Sequence, residues 1–341
     1  MNIEDCVGCA LCQPVCPTFQ ETRLEGASAR GKIAFLAAYS RGELSETDPH
    51  WGETMTLCTS CWACEEACPA GLSIKDLFLE WRENHPPTQW ERHLRMLLRL
   101  ATITPLGVRT LLPLFFLPLR GLKSRWKAPL PVTSIHPPKS FFFPGCFSRY
   151  AVPDAATSSY KRVLSLDSFK DVAVVPSGLC CGSALINNGL LKELPATATP
   201  FLEWLEKRNP LAVITADNTC GQTLRTLHHS LPSHLEKRWK RFAPRFQILQ
   251  EIDPHFPPKE GFQSACHNEH RCDKPEATCC GFGGSFRWQH PSLSRRIGKR
   301  RLRHLGFHEG GDIRVEGPGC LAHLRRLVPP SQRARIRPWT D

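Results

Sequence analysis

Long apolar runs, an apolar leader and a dinucleotide-binding loop are all missing from this 341-residue sequence. Its most apolar stretch, residues 111–119, has nine residues and two prolines, whereas a membrane-spanning helix needs about 20 apolar residues. Met1 is soon followed by acidic Glu4 and Asp5 and then by Cys6, which is unlike a secretory signal. No G-x-G-x-x-G pattern follows an expected strand. We therefore expect neither a transmembrane helix nor a secretory signal, and no flavin on this chain.

The composition is that of a folded protein that is rich in cysteine and basic. Charged residues make up 22% and hydrophobic residues 41%, and the length allows two or three domains. The 17 cysteines are clustered, which in a reducing compartment indicates metal binding or redox work rather than disulfides. The net charge of +12 favours an acidic protein partner or an anionic membrane surface. We expect a cytoplasmic protein, with peripheral attachment to the inner face of the membrane as an option.

One cysteine pattern, C-x2-C-x2-C-x3-C-P, occurs twice, at residues 6–17 and 58–69. Three cysteines two residues apart can hold three corners of one four-iron cluster, and the fourth is placed to ligate the other cluster. Zinc prefers separated pairs of cysteines, so two [4Fe–4S] clusters are predicted instead. The predicted ligands are Cys6, Cys9, Cys12 and Cys68 for the first cluster, and Cys58, Cys61, Cys64 and Cys16 for the second.

The segment between the two motifs is too long for the hairpins of a compact bacterial ferredoxin, and its pattern is helical. Ser28 is a suitable cap for a helix that contains Ile33, and residues 74–81 repeat the helical spacing after the second motif. Residues 30–32, Arg-Gly-Lys, are expected to be solvated. The sequence thus predicts an all-helical ferredoxin domain over residues 1–84.

Residues 85–138 are rich in proline, arginine and leucine and are predicted to form a helical linker. Within it, residues 90–100 have the pattern of a basic amphipathic helix. This helix either packs across the domain boundary or lies on a membrane or partner surface.

Beyond the linker the pattern changes to short β-rich runs alternating with helical stretches, which is typical of α/β architecture. The predicted strands are residues 141–143, 172–175, 211–215 and 313–315. Several of these runs end at a cysteine, and ligands in such folds bind at the carboxyl ends of the strands. A Cys-Cys-Gly triplet occurs twice, 99 residues apart, which indicates an internal duplication. We predict modules at residues 139–256 and 257–341. Their candidate metal sites are Cys146, Cys180, Cys181 and Cys220 in the first, and Cys266, Cys279, Cys280 and Cys320 in the second.

Two other interpretations of these cysteines stay open. They can pack as small apolar residues in a core, although a repeated doublet with glycine is poorly explained in that way. The second module can instead bind zinc through cysteine together with His267 and His270. The predicted fold class is α+β and multidomain, an all-helical two-cluster ferredoxin domain followed by duplicated α/β cysteine-rich modules.

With these motifs in this order, the whole chain resembles the iron–sulfur subunit of bacterial glycolate dehydrogenase. It is also similar to the cysteine-rich subunits of lactate utilisation, anaerobic glycerol-3-phosphate dehydrogenase and heterodisulfide reductase. Residues 279–286, Cys-Cys-Gly-Phe-Gly-Gly-Ser-Phe, are especially like the lactate and glycolate types. The resemblance implies an FAD-bearing partner that oxidises a 2-hydroxy acid or a polyol phosphate. This chain would take the electrons singly and pass them towards quinone or another carrier.

The resemblance also implies that the cysteine-rich modules can hold an additional, non-cubane iron–sulfur cluster near the point where electrons enter or leave. Two departures weaken that expectation. Cys220 is followed by Gly-Gln-Thr where relatives often have a second cysteine, and only 12 residues separate Cys266 from the second doublet.

Two further functions stay open beside the electron-transfer subunit: a thiol–disulfide reductase of the heterodisulfide type, and a scaffold with structural metals. Residues 294–304 contain six lysines and arginines. They are expected to form a solvated helix face that could dock an acidic flavoprotein. Nucleic-acid binding is not expected, because no nucleic-acid-binding fold is recognisable.

Overall fold

A computed structural model describes residues 3–45, 49–85, 89–115, 138–256, 261–266, 279–307 and 310–341. The described residues before position 138 form helices and loops without a strand. Their helices before the linker are α1 (Pro17–Thr22), α2 (Ala29–Ser40), α3 (Pro49–Thr56), α4 (Ala63–Glu66) and α5 (Ile74–Asn84), with 3₁₀ turns at Ile3–Asp5 and Glu25–Ala27.

The two helices predicted around the cysteine motifs are confirmed. The hydroxyl of Ser28 accepts a hydrogen bond from the backbone N–H of Gly31 at 3.1 Å and so caps α2. The apolar stripe of α2, which includes Ile33, packs against Phe78 and Trp81 on α5. This small core lies between the two cysteine loops and fixes their relative position.

The linker continues in helices α6 (Gln89–Thr102), α7 (Pro105–Thr110) and α8 (Leu112–Phe115). The expectation that α6 packs across the domain boundary is confirmed, because Leu98 is buried in the core beneath the first sheet. The other side of α6 exposes Leu97 and Leu100. Among the described residues no single helix is long and apolar enough to span a bilayer. Helix α6 and residues 105–114 together have the length and composition of a span, but the chain bends by 101° between them. Residues 116–137 of the predicted linker lie outside the described residues.

The first sheet is parallel, with the strand order β2-β1-β3-β4. Alternate residues of β1 face opposite sides: Phe141 contributes to a core with Phe201 and Trp239, whereas Phe142 contributes to one with Tyr160. The three strands expected here are confirmed to within two residues at each end, and β4 was not predicted. The strands are β1 (Ser140–Phe142), β2 (Val172–Val174), β3 (Ala212–Thr215) and β4 (Phe246–Ile248).

Helices cover both faces of this sheet, as expected for parallel strands. They are α9 (Cys146–Tyr150), α10 (Pro153–Ser165), α11 (Ser183–Asn187), α12 (Leu194–Arg208), α13 (Asn218–Thr226), α14 (Ser233–Lys240) and α15 (Leu249–Ile252), with 3₁₀ turns at Asp167–Phe169, Leu191–Glu193, Leu227–Ser230 and Ala243–Arg245.

The second sheet is smaller, parallel, and ordered β5-β6-β7. Its strands are β5 (Phe262–Gln263), β6 (Ile313–Val315) and β7 (Ile336–Pro338), and its helices are α16 (Phe286–Gln289), α17 (Pro291–His304) and α18 (Pro318–Leu327), with a 3₁₀ turn at Pro330–Arg335. Just after β7, Trp339 returns to the first module and packs at 5.0 Å, ring to ring, against Phe256. The two modules are thus interlocked.

The basic run on α17 is only partly solvated. Ile297 and Leu302 are buried, whereas Arg296 and Arg300 lie 3.6 and 3.3 Å from the carboxylate of Glu21 on α1. This helix therefore holds the second module against the amino-terminal helices. The expectation of a wholly solvated face was wrong for Arg300, whose side chain is largely covered.

Candidate metal centres

The first predicted cysteine set lines one hollow at the surface. Gly8 and Ala10 adopt positive φ values of 68° and 65°, which bend the loop. The four cysteines that line the hollow with apolar neighbours from α2 and α5 are Cys6, Cys9, Cys12 and Cys68. Cys68 thus lies with the cysteines of the first motif rather than with those of its own motif.

The loop of the second motif repeats this backbone shape. Ser60 and Trp62, at the positions that match Gly8 and Ala10, have φ values of 54° and 59°. Burial and the nearby thiols of Cys61, Cys58 and Cys16 raise the pKa of Cys64 well above its usual value of 9.0. Cys16 lies near Cys61 and Cys64 of the second set and also near Cys12 of the first. This is the position that an exchange of fourth cysteines between the loops requires.

A buried ammonium group accompanies the second set. Lys32 is 1% exposed, and its Nζ donates hydrogen bonds to the backbone carbonyls of Gly26 and Ala27 at 2.8 and 2.7 Å. The expectation that residues 30–32 are solvated holds for Arg30 but was wrong for Lys32. The missed signal is helical spacing, since Lys32 shares the buried face of α2 with Ala29, Ile33 and Leu36.

Burial lowers the pKa of Lys32, and the neighbouring thiols of Cys58, Cys16 and Cys64 oppose that shift. Within the described part of the chain, no carboxylate lies within ion-pair distance of its Nζ. A buried cation without an anion costs several kcal/mol, so the site calls for negative charge of another origin. A four-iron cluster held by four thiolates supplies a net charge of −2, and the residues present fit it.

Around no point in the described ranges are three His, Cys, Asp or Glu side chains arranged as ligands of a single metal ion. A four-iron cluster places a different demand on its ligands, because each thiolate binds a different corner iron. When bound, such a cluster accepts and releases single electrons.

The first cysteine-rich site lies at the carboxyl ends of three adjacent parallel strands. One cysteine follows β1, a vicinal pair follows β2, and one lies on α13 after β3. The thiols of Cys181 and Cys220 are 3.3 Å apart, and the N–H of Gly182, at φ 84°, points at the sulfur of Cys180 at 3.5 Å. The structure therefore brings together all four residues predicted for this site, here called the first quartet: Cys146, Cys180, Cys181 and Cys220.

The first quartet is buried and its thiols interact strongly. A hydrogen bond from Cys181 lowers the pKa of Cys220, but burial and the Asp217 carboxylate outweigh it and raise that pKa to about 11. Hydrogen bonds from Cys146 and Cys181 lower the pKa of Cys180 well below its usual value. Of the four thiols, that of Cys180 thus loses its proton more readily than an ordinary cysteine thiol.

The second quartet repeats these contacts. The thiols of Cys280 and Cys320 are 2.9 Å apart, and the N–H of Gly281, at φ 82°, points at the sulfur of Cys279 at 3.3 Å. Cys266 forms hydrogen bonds with two of the other thiols. All four predicted residues are again together: Cys266, Cys279, Cys280 and Cys320.

The closest thiols of the two quartets are 3.3 and 2.9 Å apart. Neighbouring sulfurs of a tetrahedral zinc site, with Zn–S bonds of about 2.3 Å, are about 3.8 Å apart, so the thiols of either quartet would have to separate to bind zinc or a cluster. His267 and His270, the other predicted zinc ligands, lie outside the described residues. Core packing alone fails to explain the quartets, because the thiols contact one another rather than apolar side chains only.

The second quartet touches the loop of the second ferredoxin-type motif, which the sequence did not predict. The thiol of Cys279 lies 3.7 Å from the hydroxyl of Thr59 and also forms a hydrogen bond with the thiol of Cys61. Two aromatic rings connect the quartets. Phe147, next to Cys146, and Phe282, two residues after Cys280, meet edge to face with their centroids 5.3 Å apart. The cysteine sites thus form a row of neighbours, in the order second ferredoxin-type loop, second quartet and first quartet.

Comparison with known proteins agrees with this division of the chain. Residues 2–72 match the family model for a 4Fe-4S dicluster domain, and residues 141–225 and 267–325 match the model for a cysteine-rich domain. No solved structure matches the chain.

Relatives among curated proteins include iron–sulfur subunits of oxidoreductases. The chain is 24% identical to a probable glycolate oxidase iron-sulfur subunit of Bacillus subtilis, covering 94% of this chain and 88% of the relative. It is 23% identical to one of the subunits of the fumarate reductase (CoM/CoB) of Methanothermobacter marburgensis, covering 95% and 68%. One of the subunits of a Methanosarcina mazei ferredoxin:CoB-CoM heterodisulfide reductase is 33% identical over 24% of this chain and 45% of its own.

Proposed function

Since this chain is an iron–sulfur protein related to subunits of oxidoreductases, we propose that it is the electron-transfer subunit of a flavin-linked dehydrogenase. It receives electrons one at a time from an FAD-bearing partner and passes them towards quinone or another carrier. The observation that supports this most is the row of cysteine sites, in which Cys61 of a ferredoxin-type loop contacts Cys279 of the second quartet. A row of adjacent redox sites is what single-electron transfer needs.

In this proposal the eight ferredoxin-type cysteines hold two [4Fe–4S] clusters with exchanged fourth ligands. Cluster I is held by Cys6, Cys9, Cys12 and Cys68, and cluster II by Cys58, Cys61, Cys64 and Cys16. Purified without oxygen, the protein should contain about eight iron and eight sulfide ions per chain. A content of about four would remove one of the two clusters from the proposal, and none would overturn the function.

We further infer that the two cysteine-rich modules are copies of one unit, at residues 139–256 and 257–341. The contacts Cys181–Cys220 and Cys280–Cys320, with a glycine at positive φ after each doublet, support this. The order β5-β6-β7 matches β1-β3-β4 of the first sheet. An iron content above eight per chain would assign a non-cubane iron–sulfur cluster to the quartets as well.

The partner is proposed to oxidise glycolate or another 2-hydroxy acid such as lactate, by analogy with the Bacillus subtilis relative. Its docking place would be the loop of cluster I, where Cys9 is exposed and Val7 and Leu11 are 74% and 53% exposed. Affinity purification of the tagged full chain from its own cells should recover an FAD protein that reduces the clusters when glycolate or lactate is added. Recovery of a flavoprotein that leaves the clusters oxidised with both acids would refute the substrate class.

Peripheral attachment to the cytoplasmic face of the membrane is part of the proposal. The exposed leucines of α6 to α8, among them Leu100 and Leu106, lie beside exposed Arg92 and Arg109, a combination that suits an anionic lipid surface. The purified chain should sediment with vesicles that contain phosphatidylglycerol and not with phosphatidylcholine alone. Binding to neither kind of vesicle would leave the protein in the cytoplasm.

A second candidate function is a thiol–disulfide reductase of the heterodisulfide type. It is favoured by the low pKa of Cys180 within a buried quartet and by the relative from Methanosarcina mazei. Reduced viologen separates the two functions: a reductase would cleave a disulfide with this chain alone, whereas an electron-transfer subunit would not.

A further inference from the structure

Lys32 has a role that the predicted ligands and the relatives do not assign to it. It is the largest charged side chain among the fully buried residues of the described chain, and it lies between α2 and the turn at residues 25–27. Its two hydrogen-bond acceptors are uncharged carbonyl oxygens, which satisfy donors but do not neutralise the charge. A leucine or methionine would fill the same space without the cost of burying a cation.

The groups facing Lys32 identify the charge that it balances. Its strongest electrostatic neighbours are the thiols of Cys58, Cys16 and Cys64, all from the set proposed for cluster II. One cation, Arg82, also faces it and donates to the hydroxyl of Ser60 at 2.9 Å. The ring of His290 also interacts with Lys32, and burial lowers the pKa of that ring. Cluster II is therefore bordered by buried positive charge. Among the described residues that line the hollow of cluster I, the one cation is the exposed Arg30.

We propose that Lys32 is a positioning residue that compensates the charge of cluster II and raises its reduction potential, an inference that rests on the proposed function. A four-iron site with four thiolates goes from a net charge of −2 to −3 when it takes up one electron, and no bond is made or broken. A fixed cation stabilises the more negative state by more than the less negative one. Because Lys32 is buried, solvent ions screen this effect little.

The test compares two substitutions that separate charge from hydrogen bonding. Lys32→Gln keeps an N–H donor for the turn at residues 25–27 but removes the charge, and Lys32→Arg keeps both. The control is Lys170→Met, which removes a cation whose side chain is 74% exposed in the first module. Each full-length protein is purified without oxygen, its iron and sulfide are counted, and the two clusters are titrated potentiometrically with EPR detection.

In the Gln variant one of the two one-electron steps should move to lower potential. The reduced-to-oxidised ratio of that cluster at a given potential should fall at least tenfold, which corresponds to about 59 mV. The other step should move by less, and the Arg and Lys170→Met variants should stay near wild type. Loss of one cluster in the Gln variant alone would also support the proposal, because the cation is then needed to hold the dianionic site.

Two cluster-loaded proteins with unchanged potentials would overturn the inference while leaving the proposed function intact. Loss of a cluster in both the Gln and Arg variants would also overturn it, since the role would then be steric. A wild-type protein without iron would instead refute the proposed function itself.

Discussion

Gly31 should be irreplaceable for cluster II, although it lies inside a helix where alanine is normally preferred. A Cβ atom at this position would lie 2.2 Å from the carbonyl oxygen of Glu25 and 2.9 Å from the Cα of Gly26. Both are backbone atoms, so no side chain can rotate away. Reaching 3.0 Å, below which real contacts of this kind are essentially absent, requires the turn to retreat by about 0.8 Å.

The energies of this substitution nearly cancel. Alanine gains up to about 1 kcal/mol over glycine in a helix, and overpacking costs about 1–3 kcal/mol. The net loss of stability should thus be about 0–2 kcal/mol, small enough for the protein to fold. The local effect is larger, because the carbonyl of Ala27 in the displaced turn holds Lys32 at 2.7 Å and lies 3.5 Å from the sulfur of Cys16.

Gly31→Ala should therefore reduce the iron content from about eight towards about four per chain by loss of cluster II. The assay is chemical determination of iron and sulfide with EPR of the dithionite-reduced protein, together with a urea unfolding curve. Gly26→Ala is the matched control, since its Cβ would meet mainly the Thr54 side chain, at 3.1 Å. Eight irons and an unchanged spectrum in Gly31→Ala would refute the claim that this turn forms a wall of the site.

Three other outcomes are expected. Cys68→Ser should remove the cluster of the first motif rather than that of its own, leaving about four irons and the spectrum of cluster II; loss of cluster II instead would refute the exchanged ligation. Leu11→Glu should keep both clusters but slow their reduction by the flavoprotein partner, whereas Leu211→Glu, also at an exposed leucine, should not; equal rates for the two variants would place the docking surface elsewhere. Burial raises the pKa of Asp253, but the guanidinium of Arg162, at 2.5 Å, outweighs burial and lowers that pKa below its usual value of 3.8. This ion pair therefore stabilises the fold above pH 3.8, and the stabilisation is lost as the pH falls through the lowered pKa. Asp253→Asn should lower the free energy of unfolding at pH 7 by about 1.5–3 kcal/mol, because the remaining Arg162 is partly exposed and can be solvated. It should also weaken the decrease of stability with acid, and an unchanged acid profile in urea unfolding would contradict this.

Spacing predicted best what depends on neighbours along the chain. The helices at Ser28 and Ile74 were visible because caps and apolar periods are local, and strand β6 was predicted at its observed bounds. Strand β5 escaped because it is only two residues long. Strand β7, which pairs with the other edge of β6, escaped because the pairing, not the composition, makes it a strand. Short strands of this kind become regular only when the sheet forms.

The sites followed the same rule. Membership of each cysteine quartet could be predicted because cysteines after parallel strands meet at one sheet edge. The contact between Cys61 and Cys279 could not, since it depends on how α17 docks on α1, through Arg300 and Glu21. The sequence favours a surface position for Lys32 because lysine is charged, whereas its helical spacing from Ala29 and Leu36 places it on the apolar face of α2.

The return of Trp339 to the first module has a consequence for biosynthesis. Its indole covers the side of the first sheet that contains Phe256 and Tyr160, while the hydroxyl of Thr340 reaches Ser158 at 2.6 Å. Until residue 340 has left the ribosome, that apolar surface stays open, however early the strands beneath it are made. The first module is thus completed by the last residues of the second. A nascent chain stalled between the two modules would expose this apolar surface, which chaperones can bind.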